Sequence, residues 1–411
     1  MKRFHPILIL LPGLVLLVAV YVLMTVRYIT TTGILNEADF KIFYTAGRIA
    51  QTAGYSQLYN LKTQLQVQDT LLDRDLQADQ LLPFNHPPFL VPILQILCSP
   101  DYTASYWRWI LVMIILLLMT AYIMERTLRA KKTESGTRFV FIVIILLFYP
   151  VFLGLLKGQD TAFLLLGGTL WLYGIVVEND TIAGLGLAMT VIRPQIAIIL
   201  AIPFLFKRIK VWWWFCAGAM VLATYSLMLV GLQGAGDYIH LLVVSANGQG
   251  YGMDQNAMFN FTGLILRLFP LLSIDLIHGL AWGIFGMAIV GLSVLWKLSK
   301  QIDLHHIILA LSLSLFAAPH LHYHDLALMA LSLFGLGLVA IKSGKWTFFI
   351  TISLSLFASV ILLIGEWWDP LRFTTPYLLM LVLPLLAWWV EKRMSNKFEK
   401  SEGASPGYSK I

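Results

Sequence analysis

Nearly the whole of this chain is divided into uncharged apolar runs of roughly 17 to 25 residues, the length a helix needs to cross about 30 Å of hydrocarbon. A backbone in lipid must satisfy its own hydrogen bonds, which leaves helices and closed barrels. The runs lack the alternation of a barrel strand, so the expected fold is an all-α integral membrane protein, a multi-span helical bundle. The composition agrees, with 12% charged residues against about 25% in soluble domains. The net charge of +7 reads as membrane topology and anionic-lipid contact, and no motif points to nucleic acid. Cys98 and Cys216 lie in or beside apolar runs and imply no disulfide framework.

Charge placement orients the runs. Lys2 and Arg3 precede the first run, 8–26, which lacks a small-x-small cleavage site and reads as an uncleaved span with a cytoplasmic N-terminus. Residues 28–82 then form an external loop. The segment 84–98 is short and carries three prolines, so it is expected as a juxtamembrane or re-entrant helix on the outer side. A span at 104–124 brings the basic loop with Arg126, Arg129, Lys131, Lys132 and Arg138 inside, and 139–156 rises again to the external "KGQD" at 157–160. After a descent through 160–177, one crossing over 181–206 would leave "KRIK" outside. Arg193-Pro194 in its middle breaks the hydrogen-bond ladder, and a re-entrant pair of half-length helices keeps every basic loop inside. Spans at 211–232, 276–296, 304–318, 323–341, 346–364 and 374–390 complete a count of about 12 membrane helices, with a second external stretch at 233–275. Residues 1–390 make one domain, and 391–411 form a polar cytoplasmic tail expected to be disordered.

This topology collects polar groups on the outer side: Asp39, Asn85-His86, Gln159-Asp160, Arg193-Pro194-Gln195, Asp254 to Asn256, and "PHLHYHD" at 319–325. Ionisable groups within membrane segments mark functional sites by default. Each also has a plainer reading. Asp39 can be a solvated loop charge, His86 a helix cap before Pro87-Pro88, and Gln159 and Asp160 an N-cap for the next span. Arg193 resists such a reading, because an unpaired arginine at membrane depth is costly unless it faces a polar cavity. His320, His322 and His324 lie at i, i+2, i+4, which puts only His320 and His324 on one helical face, so no metal site is expected. The tryptophan runs at 212–214 and 367–368 read as interface belts, and "NFT" at 260–262 matches a glycosylation acceptor tripeptide that is common by chance.

Taken in order, "DFKIFYTAG", "AGYSQLY", "HPPF", "GQDTAFLLL", "GLGLAMTVIRPQ" and "APHLHYHDLAL" resemble glycosyltransferase family 87, the polyprenyl-phosphate-mannose-dependent mannosyltransferases of the C-type glycosyltransferase superfamily, from about residue 35 to 330. The resemblance implies a twelve-helix bundle, Asp39 as catalytic base, and an active-site histidine at His320 or His322. The family's usual Lys-Pro is Arg193-Pro194 here. It further implies an inverting transfer of a sugar, mannose first, from a polyprenyl-phosphate donor to a lipid or glycan acceptor on the outer face of a plasma membrane, bacterial by the short loops. One essential carboxylate suffices for such a base. Arg193 would offer its fork to the phosphate, and Asn85, His86, Gln159, Asp160, Gln195 and His320 or His322 would bind sugar or phosphate. No cofactor is expected. The expected partners are membrane lipid, the lipid-linked donor and the acceptor. A transporter or flippase for a lipid-linked glycan, or a polysaccharide ligase, are the competing readings; broken helices also occur in transporters.

Overall fold

The computed structural model describes residues 9–31, 38–131, 133–246 and 254–402, with residues 246 and 394–402 described by their backbone alone. Lys2, Arg3, Glu37, Lys132, most of the polar stretch before Asp254 and the tail beyond 402 lie outside the described residues. Every regular element among the described residues is helical.

Among the described residues, seven helices are long and apolar enough to cross a membrane, or eight if one bent pair counts as a single span: this is a helical membrane protein. Their burial orders them from centre to rim. The segment Tyr323–Ser343 is 83% buried along its apolar window and forms the centre, whereas Leu11–Thr30 and Ile209–Ser245 are 11% buried and turn their apolar faces outward. Shorter apolar helices, including Pro88–Leu97, Thr161–Val176 and Leu304–Ala317, fill the space between. Leu11–Thr30 is anchored through Tyr21, whose hydroxyl donates to the Leu147 carbonyl at 2.9 Å and lies 3.1 Å from the Ser359 hydroxyl, and whose ring stacks on Phe152 at 3.8 Å.

The break at Arg193-Pro194 appears where the sequence places it. Asp180–Met189 and a 3₁₀ turn, Thr190–Ile192, lead to Arg193, and Pro194–Ala201 leads away. Arg208 pairs with Asp180, so the two ends of this segment meet and the chain returns to the side it left. Gly184 and Gly186 have no room for a Cβ against Trp214 and Trp171, and this close approach seats the hairpin between its neighbours.

Three expected boundaries are corrected. The run 139–156 is not one straight span but Ser135–Leu146 and Tyr149–Leu156, bent by 56°; Pro150 in the first turn of the second helix cannot donate to a preceding carbonyl. The external stretch 233–275 begins inside a helix, because Ile209–Ala246 runs on past a kink at Gly231, whose φ of 71° only glycine adopts without strain. The last helix, Asp369–Glu402, continues beyond 390, so residues 391–402 are helical.

Candidate active site

Tyr59, Phe84, Phe40 and Trp109 build the wall on which the first polar groups are mounted. Asp39 stands at the start of the helix Phe40–Thr52. Phe40 and Phe43 are fully buried beneath it, Phe40 against Tyr102, Tyr106 and Trp109, and Phe43 against Trp109 and the His86 ring. The turn "KGQD" is fixed through three successive carbonyls. Tyr106 donates to Leu156 at 2.6 Å, the Phe40 amide to Lys157 at 3.0 Å, and the Trp109 indole to Gly158 at 2.8 Å. Gly158 has φ 71°, and a Cβ there would lie 2.7 Å from that of Phe40. The locked turn presents Gln159, whose amide donates to Asp39 Oδ2 at 3.0 Å.

Buried glutamines hold the segment before the prolines extended. Gln64 donates to the Leu58 carbonyl at 2.9 Å and accepts from the Phe84 amide at 2.8 Å, and Gln68 donates to the Leu82 carbonyl at 2.7 Å. These side chains replace ladder partners that an isolated extended segment lacks. Asn85 and His86 follow, with the His86 carbonyl held by the Tyr59 hydroxyl at 2.7 Å.

At the tip of the hairpin, Arg193 is almost fully committed. Nη2 and Nη1 donate to the two oxygens of Asp160 at 2.8 and 3.1 Å, and Nε donates to Asp325 Oδ1 at 2.7 Å. His86 Nδ1 lies 3.1 Å from Nη1 and 3.0 Å from Asp160 Oδ2. Burial alone would raise the pKa of the Asp160 carboxyl, but Arg193 and His86 outweigh it and hold the group well below the ordinary carboxylate range. Asp325 also caps its own turn, accepting from the His322 amide at 3.2 Å. One guanidinium thus joins the segments around residues 86, 160, 193 and 325.

The loop before Asp325 is held from two sides. Asn260 donates to the Ala318 and Pro319 carbonyls at 2.7 and 2.9 Å, and Gln195 donates to the His320 carbonyl at 3.1 Å. Asn260 is completely buried and its amide is used in the fold, so the "NFT" tripeptide is no exposed acceptor. His320 and His322 pack edge to face, 4.6 Å between ring centroids. Both are kept neutral, first by burial and then by a neighbouring histidine, with His320 lowered to about 3 and His322 to about 4.

These segments enclose a cavity of about 550 Å³, within the range of small-molecule sites. Asp39, Asn85, His86, Gln159, Arg193, Gln195, His320 and His322 all line it. Asp160, also expected in the site, is completely buried behind Arg193 and does not reach the cavity. Lys157, Ser245, Tyr323, His324, Asp325 and Arg372 line it too; Tyr323, His324 and Asp325 stood in the polar cluster at 319–325 without a role in the site, and Ser245 and Arg372 were not singled out in the sequence. Lys157 stood in the quoted "KGQD", and Asp325 was a carboxylate opening an apolar run; Arg372, beside the Trp367-Trp368 pair, gave no signal. The rest of the wall is apolar. Ile239 and Trp282 belong to it and are 61% and 46% exposed, so part of the cavity wall is an open apolar surface.

Asp303, His305 and His306, at the opposite end of the helix Leu304–Ala317 from the histidine loop, bring three potential ligand atoms together. Their hydrogen bonds already account for them: His306 and Asp303 form the capping box of Leu304–Ala317, and His305 pairs with Glu391.

No curated protein matches this chain. The sequence model of glycosyltransferase family 87 matches residues 84–319, more than half of it. The match takes in the proline segment with His86, the turn with Gln159 and Asp160, and the hairpin with Arg193 and Gln195, while Asp39 precedes it and His320 follows it. The chain belongs to glycosyltransferase family 87 and is a glycosyltransferase.

Proposed function

We propose that this glycosyltransferase moves a sugar, mannose by family resemblance, from a polyprenyl-phosphate donor to a hydroxyl of a lipid or glycan acceptor, with inversion, on the outer face of a plasma membrane. The observation that carries the reading is the form of the cavity. Asp39 and its polar neighbours line it together with apolar residues such as Ile239 and Trp282, which are largely exposed, and in this reading the apolar part opens toward lipid. A water-soluble sugar nucleotide has no use for such an opening, whereas a donor with a long hydrocarbon tail fits it. The shorter apolar helices act as partial crossings in a bundle of about 12 membrane helices.

In this reading the Asp39 carboxylate takes the proton of the acceptor hydroxyl as that oxygen bonds to the anomeric carbon. The bond from that carbon to the phosphate oxygen breaks and its electron pair stays on the phosphate. Gln159, bonded to Asp39, orients the base. His86, Asn85, Gln195, His320 and His322 offer hydrogen bonds to sugar hydroxyls. Arg193 fixes the geometry of the cavity through Asp160 and Asp325. No metal or cofactor is assigned a role.

The test is transfer of labelled mannose from polyprenyl-phosphate-mannose to membrane lipid extract by purified protein, beside Asp39→Asn. Product from the wild type alone, with the variant folded, supports the reading. An active Asp39→Asn enzyme removes the assigned base. No product from either, with several donor sugars tried, moves the weight to export of a lipid-linked glycan.

A further inference from the structure

In the transfer just described, the charge on the phosphate grows as the bond to the anomeric carbon breaks, so a cation placed there is worth more at the transition state than in the ground state. Arg193 is the expected candidate, yet its Nε, Nη1 and Nη2 all donate to Asp160 and Asp325. With one guanidinium spent between two carboxylates, and His86 and His324 also set against those acids, Arg193 has its charge matched within the fold, and its side chain is only 8% exposed. A guanidinium so committed has little left to offer a phosphate.

Two other cationic side chains line the cavity, Lys157 and Arg372. Arg372 belongs to the last helix, Asp369–Glu402. Lys157 stands beside the base. Its carbonyl accepts from the amide of Phe40, the residue after Asp39, and Gln159, two residues on, is bonded to Asp39 itself. Its ammonium has no hydrogen-bond or ion-pair partner among the described residues, although the side chain is half-buried in the cavity wall. A lysine left unpaired in such a place costs desolvation without return.

Resting on the transferase reading above, we infer that Lys157 is the cation that receives the donor phosphate and stabilises it as it leaves, Arg193 serving to position the cavity. A lysine suits this task, since it binds phosphate as a point charge on a flexible stem.

The experiment uses the full-length protein in lipid nanodiscs, with polyprenyl phosphate as the binding probe and the uncharged polyprenol as its control, for wild type, Lys157→Gln, Lys157→Arg and Arg372→Gln. The turn is held by main-chain carbonyls, so the Lys157 substitutions leave the fold in place. Lys157→Gln should weaken polyprenyl phosphate binding by roughly tenfold or more, leave polyprenol binding within twofold, and raise the donor KM while lowering kcat. Lys157→Arg should recover part of the phosphate affinity. The inference is overturned if Lys157→Gln binds polyprenyl phosphate as the wild type does, if it loses polyprenol binding equally, or if Arg372→Gln alone carries the loss. A lower thermal midpoint with both affinities unchanged would mean that the lysine only balances the negative end of the Tyr149–Leu156 helix. Failure of the transferase reading is separate: the wild type would then bind polyprenyl phosphate and transfer no sugar.

Discussion

Arg193 grips both oxygens of Asp160, at 2.8 and 3.1 Å, while its Nε donates at 2.7 Å to Asp325. A single buried cation therefore neutralises carboxylates from two separate helical segments. Removing one partner of a buried ion pair typically costs about 3–5 kcal/mol, because a charge is left uncompensated. Arg193→Leu strands two carboxylates and should fall at the upper end of that range, seen as a large drop in thermal midpoint. Arg193→Lys keeps the charge but cannot span both acids, and should lie between. A fully stable Arg193→Leu protein would contradict the structural role given to this residue.

Gln159 touches Asp39 through its amide nitrogen at 3.0 Å, and its Oε1 is buried with no partner among the described residues. Gln159→Leu should lower kcat by roughly tenfold to a hundredfold, since misorienting a general base forfeits part of the 10²–10⁴ such a group contributes. Gln159→Glu places a second carboxylate against Asp39 and should be worse. Initial rates with both variants decide the matter, and an unchanged kcat in Gln159→Leu would free the glutamine from this task.

The neutral histidines set an acid limit. His320 and His322 titrate at about 3 and about 4 in the folded protein, against about 6.5 in an unfolded chain. Between these values the unfolded chain binds protons that the folded one refuses, so stability rises with pH across that interval. Their contribution is complete above about pH 6.5 and is lost as the pH falls toward 4. Thermal midpoints measured from pH 7 to pH 4 should decline, and the double variant His320→Gln, His322→Gln should show a shallower slope over the same interval. An identical slope in the double variant would assign the acid sensitivity elsewhere.

Gly158 couples the turn to the base. Its φ of 71° costs an L-residue about 1–2 kcal/mol, and a Cβ would meet that of Phe40 at 2.7 Å. Gly158→Ala should lower the thermal midpoint and, by displacing Phe40, move Asp39 off its bond with Gln159 and reduce activity. Gly136, where an added Cβ meets nothing within 4 Å, supplies the control. Its alanine variant should keep activity and stability.

The sequence carried the membrane class and the residues that assemble into the site because both follow from cost. Apolar length is dictated by bilayer thickness, and Arg193 at membrane depth demanded a cavity, which Asn85, His86, Gln159, Gln195, His320 and His322 indeed share with it. The two-sided grip on Arg193 was not legible. Asp160 stands where a helix cap is expected but makes no cap bond, Asp325 caps its own turn, and nothing in their spacing says that both turn to one guanidinium 33 and 132 residues away. The bend before Pro150 was missed for a related reason. The hydropathy of 139–156 is unbroken, and only the proline marks the interruption. Arg372 escaped altogether, since a cation beside interfacial tryptophans is the ordinary pattern at a membrane boundary.

The hairpin that carries Arg193 also fixes how deep the chemistry lies. From Asp180, tied to Arg208 at its base, the rising arm has 10 helical residues and a 3₁₀ turn of three. At about 1.5 Å per residue this reaches roughly 20 Å, some two-thirds of a hydrocarbon core about 30 Å thick. In the transferase proposed above, with the base of the hairpin at the inner boundary, that height sets Arg193 beneath the outer headgroups, and a polar pocket there admits only a substrate that lowers its reacting group into the membrane, so the arm would select amphiphiles before any side chain reads a sugar.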